Sequence, residues 1–179
     1  MKTYINPNRN TWDEILKRPL FSVAELQDRV QTILTDIHKD GIDALRKYTE
    51  KFDGVFISNL AVSPEEVEEA CDLVDSTLKD AITIAAGNIQ KFHESQVSQT
   101  KRIETTPGVT CWQKAVAIDK VGLYVPGGSA PLFSTVLMLA IPAKIAGCKE
   151  IVLCTPPDKD GKINPAILFA AQLVGVTQI

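Results

Sequence analysis

This 179-residue sequence is poor in the residues that usually announce chemistry. It has two histidines, His38 and His93, and neither belongs to an H-x-x-E or H-E-x-x-H pattern. A zinc site draws three or four ligands together, so no metal site made by this chain alone is expected, and no metal ligand is assigned. The four cysteines, Cys71, Cys111, Cys148 and Cys154, form no C-x-x-C pair. That spacing suggests no disulfide framework and points to a reduced, cytoplasmic setting. Cys148 and Cys154 stand among apolar residues, where a thiol acts as a small hydrophobe. Basic residues are scattered, with Lys101-Arg102 the densest cluster, and the net charge is −3. Nothing there matches a nucleic-acid phosphate backbone, so no nucleic-acid partner is expected. The longest mostly apolar run, residues 136–145, is interrupted by Pro142 and Lys144 and is too short to span a bilayer. The opening "MKTYINPNRNTW" is polar and lacks the apolar region of a signal peptide.

What is present is ordinary for a globular chain: 45% hydrophobic and 23% charged residues. A chain of this size buries about 70% of its unfolded surface, enough for a core. Residues 1–20 read as an arm, with Pro7 and Pro19 breaking any long helix. Residues 21–118 read as a mainly helical region. Ser22 and Glu25 suit a capping box. After them Val23, Leu26, Val30, Ile33, Leu34 and Ile37 recur at helical spacing up to Gly41. A second helix carries Ile42, Leu45, Tyr48 and Phe52 and closes at Gly54. Residues 55–63 suit a short strand. Ser63-Pro64-Glu65-Glu66 opens a helix with a cap, a proline at its first position and acids at its positive end. Its apolar face is Val67, Ala70, Cys71 and Val74. The next helix, capped at Asp75 or Ser76, puts Leu78, Ile82, Ala85, Ile89 and Phe92 on one face and frays from about residue 88. The run Glu65-Glu66-Glu68-Glu69 reads as a solvated helix face. Residues 101–106 and 109–118 suit a hairpin around Pro107-Gly108.

From residue 119 to 179 the pattern alternates: strand 121–125, helix 131–146, strand 151–154, helix 164–173, and the start of a strand in "VTQI". Such β-α-β-α-β order predicts a parallel sheet with right-handed crossovers. The fold class is therefore α/β, a mainly helical region followed by the first part of an incomplete Rossmann-like parallel sheet. Pro142 is expected to kink its helix.

Within that region "VGLYVPGGSAPLFSTVLMLAIPAKIAGC" joins a strand to a helix through Gly127-Gly128-Ser129, without the G-x-G-x-x-G or Walker spacing. Adjacent glycines permit positive φ and close approach of a ligand. The free N–H groups of a helix start attract an anion such as a pyrophosphate. Ligands of open α/β sheets bind at the carboxyl ends of strands. A plain strand-to-helix turn with no ligand fits the same residues. Tyr124 either stacks on a flat ring or packs in the core. Ser134 and Thr135 are phosphate donors or plain helix-surface hydroxyls. Spacing alone gives no nucleophile–base pair.

The segment "VGLYVPGGSAPLFSTVLMLAIPAKIAGCKEIVLCTPP" closely resembles histidinol dehydrogenase. The similarity takes in "GIDALRKYTEKFDG", "VSPEEVEEA", "IQKFHESQ", "TPGVTCWQKAVAIDKVGLYVPGG" and "ILFAAQLVGVTQI", nearly all of the chain from about residue 20. The resemblance implies a zinc-dependent oxidoreductase of histidine biosynthesis, a homodimer that oxidises L-histidinol to L-histidine with two NAD⁺. It implies that Tyr124, Pro126, Gly127 and Gly128 border the NAD site, with Phe52 near the same cofactor. It further implies that the zinc ligands and the acid–base pair lie in a part of the family's chain that these residues do not include. The segment is then an amino-terminal, truncated portion, inactive alone. The alternative is a non-catalytic anion- or nucleotide-binding module built on the Gly127-Gly128 turn.

Overall fold

The computed structural model describes residues 2–18, 23–127 and 130–179. Ser22, Gly128, Ser129 and the side chain of Glu25 lie outside the described residues, and with them the first expected capping box and half of the glycine pair.

The chain forms two compact units, Met1–Leu45 and Arg46–Ile179. In the first, the arm holds a 3-10 turn, Arg9–Thr11, leading into a single-turn helix α1, Trp12–Ile15. Asn8 caps the turn: its side chain accepts from the Asn10 N–H at 3.1 Å. Helix α2, Val23–Asp40, ends at Gly41, whose φ of +58° supplies the left-handed residue that ends a helix. Its apolar stripe divides: Ile33 and Ile37 are half-buried, while Leu26, Val30 and Leu34 are exposed. Helix α3, Ile42–Asp53, closes at Gly54, as its spacing predicts.

In the second unit α4 runs Pro64–Leu73 and α5 Ser76–Glu94. Ser63 accepts from the Glu66 N–H at 3.2 Å, and Glu66 accepts from the Ser63 N–H at 2.8 Å, a reciprocal capping box. Asp75 caps α5 by accepting from Leu78 N–H at 3.0 Å. Residues 55–63 are not a strand. Their polar backbone groups are met elsewhere: Val62 N–H donates to Ile179 O at 3.0 Å, and Arg46 donates to Ser58 O at 2.7 Å. With no neighbouring strand in ladder register, the β-branched residues there stay in a loop. Helix α5 continues to Glu94, past the expected fraying point, held at its end by Gln90–Glu94 and His93–Gln96 side-chain bonds.

Strands β1, Arg102–Thr106, and β2, Val109–Trp112, pair antiparallel as the expected hairpin, but β2 ends six residues short of the expected limit. Every residue of both strands is exposed.

The sheet follows the expected alternation. Strand β3, Lys120–Tyr124, leads through the turn to α6, Phe133–Ala146; β4, Glu150–Cys154, lies parallel to β3; α7 spans Pro165–Val174; and Gln178 bridges in parallel to Val152. Thr177 fastens that last segment, its hydroxyl donating to Ile151 O and accepting from Ile151 N–H, both at 2.9 Å. Helix α6 runs through Pro142 as one element and ends at Gly147, φ +95°.

One side of the sheet is packed. Helices α6 and α7 lie together, with α5 against α6 and α4 against α7. The core gathers Ile82 from α5, Val136, Leu137 and Ala140 from α6, Ile151 and Leu153 from β4, and Ala170 and Ala171 from α7. Strand alternation sends Lys120, Gly122 and Tyr124 of β3 to the other side, where all three are exposed.

Candidate functional site

Of the assigned residues, Tyr124, Pro126 and Gly127 lie at the carboxyl end of β3, next to that of β4. Tyr124 ends β3 directly opposite Cys154, which ends β4. Beyond the last pair, Val125 N–H donates to Cys154 O at 3.0 Å, and the Val125 side chain is fully buried. This anchor fixes the direction of Tyr124, because neighbouring strand residues point to opposite faces. Tyr124 is 64% exposed. Among the described residues it does not pack in the core.

Pro126 and Gly127 follow, both exposed. Gly127 does not take a left-handed φ. Its lack of a side chain matters for clearance: a Cβ there would stand 2.7 Å from Cγ of Pro156. The turn and the segment after β4 therefore press together just beyond the strand ends. Helix α6 then opens at Phe133 with no side-chain cap from Leu132. Ser134 is exposed and Thr135 half-buried in its first turn.

The other assigned residue stands on a different element. Phe52, near the end of α3, is 62% exposed and stacks on Tyr48 with ring centroids 5.6 Å apart. The ammonium of Lys51 lies 5.4 Å from the Phe52 ring centroid.

One expectation changes. Cys154 is exposed, whereas its apolar neighbours in sequence suggested burial; alternation on β4 buries Ile151 and Leu153 and turns Cys154 to the bare side. The acidic run on α4 is exposed, as a solvated face requires, and Glu66 also completes the capping box. The carboxylate of Glu65 is held below its ordinary range, first by hydrogen bonding to its own backbone amide and then by Ser63. Two neighbours of Tyr124 and Gly127 escape a linear reading, Cys154 and Pro156; both emerge only from the pairing of β3 with β4.

Among the described residues, no group of three or more His, Cys, Asp or Glu side chains is arranged to hold a metal ion. His93 bonds Gln96 at 2.8 Å and sits edge-on to Phe92; His38 lies in the last turn of α2. The residues present do not make a zinc site. Among the described residues, no helix is long and apolar enough to cross a membrane. A cavity of about 590 Å³ lies beside the hairpin, lined by Lys101, Ile103, Cys111 and Trp112 among others; it shares no residue with the strand ends.

The family model described as histidinol dehydrogenase matches residues 16–179. The chain belongs to the histidinol dehydrogenase family. A histidinol dehydrogenase of Bacteroides thetaiotaomicron is 57% identical over 179 residues, which is 100% of this chain and 42% of that protein. One from Campylobacter jejuni (strain RM1221) is 47% identical over 177 residues, covering 98% of this chain and 40% of that protein. The crystal structure of histidinol dehydrogenase from Elizabethkingia anophelis superimposes with a TM-score of 0.89 at 51% identity, covering 98% of this chain and 41% of that one. The chain thus spans about two-fifths of the length of these histidinol dehydrogenases.

Proposed function

We propose that this chain forms one wall of the NAD⁺ site of a histidinol dehydrogenase. In that reading the whole protein is a cytoplasmic, zinc-dependent homodimer that oxidises L-histidinol to L-histidine with two NAD⁺. The observation that carries the reading is the exposed Tyr124 at the carboxyl end of two parallel strands, beside a helix whose N-cap residue, Leu132, gives no side-chain cap. Ligands of open α/β sheets bind at such ends, and uncapped helix N–H groups favour a pyrophosphate.

Tyr124, Pro126 and Gly127 would hold the dinucleotide. Tyr124 offers a flat, half-wet ring for stacking. Gly127 keeps the turn tight against Pro156 and leaves its backbone open to the ligand. Bound NAD⁺ supplies the hydride acceptor, chemistry that belongs to the cofactor. No described cluster of side chains can bind zinc, so no step through the metal is assigned to these residues. The chain binds and orients, and does not turn over alone.

Calorimetric titration with NAD⁺ tests the binding. Saturable binding that Tyr124→Ala weakens at least ten-fold supports the reading. Equal response to phosphate and unrelated nucleotides would favour a general anion-binding module on the Gly127-Gly128 turn. NADH formation from NAD⁺ and histidinol, in the presence of zinc, by the purified chain would overturn its assignment as inactive.

A further inference from the structure

We draw no further inference here: the strongest candidate, the exposed apolar face of the β1–β2 hairpin with the cavity lined by Lys101, Ile103, Cys111 and Trp112, carries nothing because nothing in the structure shows what covers it.

Discussion

Gly127 and Pro156 meet so closely that a Cβ on the glycine would lie 2.7 Å from the proline Cγ. Real Cβ contacts of that length do not persist, so Gly127→Ala must displace either the turn or the segment after β4. Forced overpacking of this kind costs about 1–3 kcal/mol. Because the proline ring carries the clash, Pro156→Ala in the same chain should return most of the loss. A double-mutant cycle of denaturant melts measures this: strong coupling is expected between the two positions. Additive losses would show that the glycine matters for some reason other than this contact.

Ile82 and Phe92 lie on one expected helical face of α5, yet their surroundings are opposite. Ile82 is 1% exposed and Phe92 63%. Helix α5 has 19 residues against 14 in its partner α6, about 7.5 Å more at about 1.5 Å per residue. Ile82→Ala should cost about 2–5 kcal/mol, while Phe92→Ala should stay within about 0.5 kcal/mol. Thermal or urea unfolding of the two variants gives the comparison directly.

The same contrast marks what a linear reading reaches. Local signals placed the helices well: Ser63-Pro64 opens α4, Gly41 and Gly54 close α2 and α3, and Gly147 closes α6. The parallel sheet was legible because its alternation of strand and helix leaves few topologies. Residues 55–63 look like a strand because β-branched residues suit one, but a strand also needs a partner. Val62 instead bonds Ile179, at the far end of the sequence. At the candidate site, Tyr124 and Gly127 announce themselves by their place after a strand. Cys154 does not: its exposure depends on which face of β4 turns from the helices, a property of register and packing.

The capping box at the start of α4 carries a pH dependence. Ser63→Ala removes the acceptor for Glu66 N–H and should cost about 1 kcal/mol. Glu65, beside it, titrates below the ordinary 4.5 because its ionised form is hydrogen-bonded. A depressed folded-state value means this carboxylate stabilises the fold above its unfolded value, and the contribution fades as pH falls through the folded one. Glu65→Gln should therefore lower the melting temperature slightly near neutrality and lose that difference in acid. Melting curves of both chains between about pH 7 and about pH 3 check it. A gap that widens on acidification would reverse the sign.

Cys71 and Gln172 connect α4 to α7: the thiol donates to the amide oxygen of Gln172 across 3.1 Å. Burial, more than any neighbouring charge, pushes the Cys71 thiol above its ordinary value, and Asp72 and Glu68 push it the same way against an opposing Lys79. The thiolate is the reactive form, so Cys71 should be alkylated more slowly than Cys111 or Cys154, both exposed. Raising the pH should narrow the gap, because more of the Cys71 thiol ionises. Gln172→Ala removes the acceptor and, with it, one tie between the two helices. Two effects then add. Loss of a partner that held the neutral thiol frees the group to ionise, and looser packing admits water, which favours the thiolate as well. Both act in one direction, so Gln172→Ala should speed Cys71 labelling several-fold at fixed pH while leaving Cys111 unchanged. Cysteine-resolved mass spectrometry reads all rates in one sample, and an unaltered Cys71 rate would separate its slowness from the contact with α7.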